Sequence, residues 1–397
     1  MKNKKTMAVS SIWGLPVFAF MLLICTNSFA QTDTVNIKNG KITSTGYWIP
    51  KNIKEVKGLK EGPFVQLSNG DILTVDNDKS CISHDGAKTW IEYPIFTDTA
   101  KFKMGPAKAI ICTRNGIIIL AFVNLKERAN WNWRNDIHDS PDATLPTYAV
   151  RSLDGGKSWQ DVQKLHDEWT GSIRDIIQTR DGSVIFTSMM FRHHPGHHTV
   201  VTYTSKDEGK SWIRSNVIDL GGVGNHSGVM ESTLIQKKDG NLWMLMRTNW
   251  GHFWSAISEN DGLIWKDFQV TDIDASSANG MLKRLQSNRI VLVWNRMYLQ
   301  GHESGPLRGG DGNLTEVATS WQREELSMII SSDDGKTWSE PVVIAKAIEK
   351  GKQVSYPSIF EVKPGELWIT TRFRGNLRIH YLKRIFFNRL LTETYLI

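Results

Sequence analysis

Three octets with one skeleton constrain this chain more than any other feature: Ser-Leu-Asp-Gly-Gly-Lys-Ser-Trp at 152–159, Ser-Lys-Asp-Glu-Gly-Lys-Ser-Trp at 205–212, and Ser-Ser-Asp-Asp-Gly-Lys-Thr-Trp at 331–338. Two looser copies accompany them, Ser83 to Trp90 with Ala87 in place of Gly, and Ser258 to Trp265 with Asn260 in place of Asp. The chemistry is that of a hairpin turn. The Asp carboxylate accepts backbone N–H groups, the Gly takes a positive φ, and the Trp covers the strand pair beneath. Asp154, Asp207 and Asp333 are therefore structural, however conspicuous.

A second repeat interleaves with the first. Strand, polar turn and strand recur at Leu67-Ser-Asn-Gly-Asp, Thr113-Arg-Asn-Gly-Ile, Thr179-Arg-Asp-Gly-Ser, Lys237-Lys-Asp-Gly-Asn, Leu285-Gln-Ser-Asn-Arg and Val362-Lys-Pro-Gly-Glu. The first five of these six units are each followed by an octet. Units of this size supply about four short strands apiece, cannot bury their faces alone, and stack radially. The expected fold is an all-β, six-bladed β-propeller with Asp-box repeats over residues 47–385. A sandwich or solenoid would not explain why hairpin and octet alternate.

Residues 1–30 read as a signal peptide: Lys2, Lys4 and Lys5 precede an apolar run from Ile12 to Ile24, and Ser28 and Ala30 stand before Gln31. The mature chain is then expected to be secreted or periplasmic, without a membrane span. A lipoprotein anchor at Cys25 is disfavoured by bulky Ile24 before it. Residues 31–46 read as a linker and 386–397 as a tail. Only Cys81 and Cys112 would remain, so no disulfide framework carries the fold, although one bridge could form. The net charge of +7 comes partly from the leader and the basic stretch Arg378 to Arg389. No long basic run interleaves with aromatics, which argues against nucleic acid and is compatible with an anionic ligand. A monomer without cofactor or metal is expected. The His193, His194, His197, His198 cluster lacks an accompanying carboxylate and reads as a loop beside the pocket.

Two insertions, Asn124 to Pro146 and Met297 to Glu325, are rich in Trp, Arg, His, Asp and Gly, as loops that shape a binding face would be. Trp131, Trp133, Trp250 and Trp254 could stack on sugar faces there. Counting back along the inner strands to the central channel places Glu61, Ala107, Ile173 beside Arg174, Glu231, Asn279 and Tyr356 around one pocket. Polar groups at the mouths of apolar strands are costly unless a ligand or mutual pairing satisfies them.

On these residues the sequence resembles the sialidases (neuraminidases) of the Asp-box or BNR-repeat type. Glu231 with Arg247 sixteen residues on, Arg323 eight residues before Ser331, and Tyr356 in Val-Ser-Tyr-Pro-Ser match that family's paired Glu, second and third arginines, and nucleophile. The resemblance implies hydrolysis of a glycan's terminal anionic sugar by Tyr356 with Glu231 as base. A neutral hydroxyl is not repelled by a carboxylate on the anomeric carbon. Arg247 and Arg323 would clamp that carboxylate, with Arg174 as a further candidate. Two departures stand out. Glu61, in Lys60-Glu61-Gly62-Pro63, occupies or adjoins the place of the family's first arginine. The loop that should hold the acid has shrunk to Asp76-Asn-Asp78-Lys-Ser, leaving Asp78 or Asp76, or else Asp136 or Asp139 near His138, as candidates. Hydrolysis or lyase elimination of another sugar, a uronic acid or deoxysugar, and a non-catalytic carbohydrate-binding propeller remain alternatives.

Overall fold

The computed structural model describes residues 39–372, 375 and 377–382. The 1–30 leader, the linker up to residue 38 and the 386–397 tail lie outside the described residues. Among the described residues, no helix is long and apolar enough to cross a membrane. Six antiparallel blades follow in chain order. Blade one is Phe64–Gln66, Ile72–Asp76, Lys79–Ser83 and Ile91–Pro94. Blade two is Met104–Cys112, Ile118–Asn124, Thr144–Ser152 and Gln160–Glu168. Blade three is Ile176–Gln178, Val184–Arg192, His197–Ser205 and Ile213–Arg214. Blade four is Met230–Gln236, Leu242–Arg247, His252–Ser258 and Lys266–Asp274. Blade five contains Met281–Arg284, Ile290–Trp294, Glu325–Ser331 and Val342–Ala347, and blade six contains Ser355–Lys363, Glu366–Arg372 and Arg378–Leu382.

The N-terminal segment finishes both of the last two blades. Ile53–Glu55 is the outer strand of blade six, pairing Ile53 with Tyr381 and Glu55 with Ile379. Tyr47–Pro50 pairs with Val342–Ala347 of blade five, and Gly40–Ile42 adds beyond it. The span read as linker thus contains a strand, held by main-chain pairing rather than by an apolar pattern of its own. The basic, apolar stretch after Gly375 likewise begins with a paired strand at Arg378–Leu382.

Burial follows the ring. Six apolar clusters each lie between two neighbouring blades, from Phe64, Ile72, Phe360 and Trp368 between blades six and one to Leu326, Ile344, Ile359 and Ile379 between five and six. Cys81 and Cys112 are free thiols, so the bridge the sequence allowed is not made.

The octets join the third and fourth strands of blades one to five. In blade two, Asp154 Oδ1 accepts from the N–H groups of Lys157 (3.0 Å) and Ser158 (2.9 Å), while Oδ2 accepts from the Ser158 hydroxyl at 2.6 Å. The looser octet of blade four keeps one of the two main-chain bonds, Ile264 N donating to Asn260 Oδ1 at 2.9 Å, while Leu263 N donates to the Asn260 carbonyl at 3.2 Å. It drops the hydroxyl bond, because Ile264 has no hydroxyl and Asn260 no second carboxylate oxygen.

Closure and turns should cost differently. Ile53→Ala, at a side chain 1% exposed in the five–six interface, is expected to lower stability by about 2–4 kcal/mol. Asp154→Ala, at a solvent-facing turn, is expected to lower it by about 1–2 kcal/mol. Denaturant titration of the two variants checks the order.

Candidate active site

Antiparallel blades send their connections to two ends. The polar turns and the octets occupy one end. The links between second and third strands, and those between blades, occupy the other. Every charged group described below starts from that second end.

A cavity of about 260 Å³ opens there, walled by Trp131, Trp169 and Trp321, by His198, Asn225 and His226, and by Glu231, Arg247, Arg323 and Tyr356. The two insertions and the blade-three loops form one side of it through a chain of main-chain bonds. Gly196 N donates to His138 O (2.7 Å), Gly224 N to Gly196 O (3.0 Å), Asn225 N to Asn313 O (2.9 Å) and His226 N to Leu314 O (3.0 Å). Trp131 lies on Trp169 with ring centroids 4.3 Å apart, and Trp321 packs against His226 at 5.4 Å.

Glu231 sits at the centre, 6% exposed. Arg174 donates to its Oε1 through Nε at 2.9 Å and also through Nη2, and Arg247 Nη1 donates to Oε2 at 2.5 Å. Burial alone would raise the carboxyl's pKa, but the two guanidiniums outweigh it and hold it down to about 2. Arg247 is fixed in turn by Ser277 Oγ, which accepts from Nη2 at 2.9 Å and donates to Asn249 Oδ1 at 2.7 Å. Arg323 Nη2 donates to the Ser277 carbonyl at 2.8 Å.

The Tyr356 hydroxyl interacts with both Arg247 and Arg323. The guanidiniums of Arg174 and Arg323 stand 4.3 and 5.3 Å from its ring centroid. Its φ of 57° is a disfavoured conformation for an aromatic residue, of the kind found at functional sites. The strand is bulged there, between Ser355 and Ser358. The inner strands of blades two and four break register in the same way, between Met104 and Lys108 and between Met230 and Ser232. Such bulges re-aim side chains.

Beside Tyr356 the channel narrows to a slot of about 30 Å³ lined by Glu61, Lys108, Arg174 and Arg372. Glu61 lies 3.9 Å from Arg372 Nε and 3.7 Å from Arg378 Nη2. Burial pushes its pKa up, against the pull of Arg378 and Lys108.

Of the residues singled out in the sequence, Glu231, Arg247, Arg323 and Tyr356 meet in the cavity. Arg174 joins Glu231 to the slot, and Glu61 lines the slot alone of the acidic candidates. Asn279 is buried, with its Oδ1 unpartnered, and lines neither space. Asp78 is not at the cavity either: its Oδ1 accepts from Met104 N at 2.6 Å, tying its loop to blade two. Asp76 pairs with Lys60, and Asp136 with Arg134. Asp139 is fully buried and accepts from His194 N (3.2 Å), with His193 Nδ1 2.9 Å away. It supplies the carboxylate that the histidine cluster lacked in sequence, yet no group of three metal-ligating side chains is found among the described residues. Trp131 lines the cavity, whereas Trp133 packs on Phe191 and Trp250 on Trp254. Sequence reasoning missed Trp169, Trp321, His226 and Lys108. Lys108 directly follows the register residue Ala107, and a bulge was the signal needed to find it.

The chain matches the family described as BNR repeat-like domain over residues 79–369. Against curated proteins no sequence match is found. Among solved structures, a protein of unknown function from Dyadobacter fermentans aligns with TM-score 0.53 at 15% identity, over 83% of this chain and 98% of that one. The NanB sialidase from Streptococcus pneumoniae aligns with TM-score 0.52 at 13% identity, over 83% and 69%. An alpha-L-arabinofuranosidase from Fusarium graminearum, in complex with an iminosugar inhibitor, aligns with TM-score 0.53 at 12% identity, over 84% and 98%. At these identities the likeness concerns the fold.

Two expectations follow from the buried charges. Glu231→Ala would strand Arg174 and Arg247 without a counter-charge and is expected to destabilise by about 3–5 kcal/mol, measured by denaturant titration. Burial lowers the pKa of His198 to about 3 and of His226 to about 4, from 6.5. The unfolded chain therefore takes up protons that the folded one refuses. Stability is expected to fall as pH drops from 6.5 towards 4, and Glu231 adds to the loss below its unfolded value of 4.5. A His226→Gln variant should show a shallower slope over the upper window.

Proposed function

The chain belongs to the BNR repeat-like domain family, and from that premise we propose that it is a glycoside hydrolase removing a terminal sugar that carries a carboxylate, sialic acid or a related acid. One observation carries this reading. The Tyr356 hydroxyl lies where Arg247 and Arg323 converge, in the wall of a cavity lined by indoles and large enough for a sugar ring. Indole faces suit the apolar face of a sugar ring, and guanidiniums suit its carboxylate.

In this reading the ring lies among Trp131, Trp169 and Trp321, its carboxylate held by Arg247 and Arg323. Tyr356 attacks the anomeric carbon as its phenolic proton passes to Glu231, and the aglycone leaves as its bond to that carbon breaks, taking a proton from solvent water. Water then releases the sugar with retention of configuration. Glu231, ionised in the free site, orders Arg174 and Arg247 around the nucleophile and accepts the phenolic proton once the substrate carboxylate engages Arg247. Asp78 is not carried into the reaction, because its carboxylate serves its own loop.

A second reading has an observation of its own. Arg174 and Arg247 are both engaged by Glu231, and Glu61 places a second carboxyl in the channel. Paired carboxyls suit a glycosidase acting on an uncharged sugar such as an arabinofuranoside, and the Fusarium graminearum enzyme is similar in fold.

Methylumbelliferyl glycosides of sialic acid and arabinofuranose separate the two. Turnover of the sialoside, falling by about a thousandfold or more in Tyr356→Phe with unchanged thermal stability, is the expected result. Turnover of the arabinofuranoside alone, surviving Tyr356→Phe, would replace it with the second reading. Absence of both activities in folded protein would overturn both readings.

A further inference from the structure

The inner strands run on past the candidate active site to the turn end of the channel, where a second cavity of about 480 Å³ lies. It shares no lining residue with the cavity or the slot described above. Its volume is that of a small-molecule site. Each blade contributes the residue two positions before its polar turn: Val65, Ile111, Ile177, Ile235, Lys283 and Phe360. Five of these six register-equivalent residues are apolar, and Lys283 breaks the repeat. Its side chain is exposed and makes no hydrogen bond or close ion pair among the described residues.

The charges around Lys283 leave room for an anion. Asp175 is the one carboxylate in the lining and the electrostatic neighbour of Lys283. It is buried, and main-chain and hydroxyl donors already claim both its oxygens. Leu234 N (2.9 Å) and the Thr233 hydroxyl (2.6 Å) donate to Oδ2, and Ile176 N (2.9 Å) to Oδ1. Two further cations line the cavity. Arg284 pairs with Asp334, whereas Arg180 Nη2 donates to the carbonyls of Lys237 and Lys238 at 3.1 Å. The wall is braced without a ligand: Gln178 Oε1 accepts from Arg114 N at 2.9 Å, and Gln236 Oε1 from Arg180 N at 2.8 Å. A pre-formed wall lowers the ordering cost of binding.

We propose that the turn-end cavity is a second binding site, for a free amphiphilic carboxylate whose aliphatic body lies against the five apolar side chains and whose charge meets Lys283. Apolar contact supplies attraction without direction, and the ammonium selects for negative charge. The inference is independent of the sugar reading, since no residue of that site takes part.

The test is calorimetric titration with octanoate, with octanamide as its uncharged counterpart, and with butanoate as the same charge on a shorter body. Native protein should bind octanoate at least about tenfold more tightly than either. Lys283→Met should bring octanoate down to the affinity of octanamide, and Lys283→Arg should keep the preference. Because Lys283 is exposed, neither substitution should move the melting temperature. Arg323→Met, in the other cavity, should leave octanoate binding unchanged. Octanoate affinity that survives Lys283→Met overturns the proposal, and its loss in Arg323→Met instead would place the ligand among the arginines of the other cavity. Equal affinity for octanoate and octanamide in native protein, or binding of neither, overturns it as well.

Discussion

The site depends on one buried ion triad, Glu231 between Arg174 and Arg247. Its members come from the loop entering blade three and from the first and second strands of blade four. Ser277, at the entry to blade five, extends the network to Arg323. Charges so enclosed tolerate little displacement, because any gap leaves an ion in a low-dielectric interior without compensation. The triad therefore ties the entry of blade three to blade four at the axis. It also presents Arg247 to the cavity already ordered, and ordered charge is what binding and catalysis draw on.

The scaffold that permits this is built at the other end. Octet turns and polar hairpin turns satisfy their own main chain locally, which leaves the opposite loops free to vary in length. Hence the two insertions grow only from that opposite end, and both bond to the loops around blade three. Gly196, Gly224 and residues 313–314 form a continuous rail beside the cavity. The N-terminal strands do for the ring what the triad does for the axis. By finishing both blade five and blade six, they make the last interface depend on chain from the other terminus.

What was legible in the sequence follows from how far each interaction reaches. The octets and turns are local and chemically specific, and both were read in place. Glu231 and Tyr356 could be placed because strand period carries a residue from its turn to the channel, and Arg247 and Arg323 because their spacing resembles that of the sialidases. The count fails in two blades. In blade two it stops at Ala107, while Lys108 faces the slot. In blade five it gives Asn279, which is buried away from both spaces. Asp78 was chosen by loop position, and position alone could not show that Met104 N already claims its carboxylate. The pairing of Ile53 with Tyr381 spans nearly the whole chain and leaves no local mark. Trp169 and Trp321 resemble any other tryptophan until the loops bearing them are folded against each other.

Glu231 also bears on how a tyrosine in this setting would be activated. A carboxylate held down to about 2 is a poor acceptor for a phenolic proton. Its effect on Tyr356 is then carried by the arginines it orients. Arg247 and Arg323 lie at the hydroxyl and would oppose little in the neutral ground state, but they would stabilise negative charge as it forms on that oxygen. An anion bound between the same two guanidiniums competes with Glu231 for Arg247. It thereby weakens the influence that keeps Glu231 deprotonated, and raises its affinity for a proton at the moment a proton must be taken up. A closed triad in the empty site and a functioning base in the occupied one are thus compatible, provided that the ligand carries negative charge. For an uncharged sugar the triad would stay closed and Glu231 would remain a structural anion.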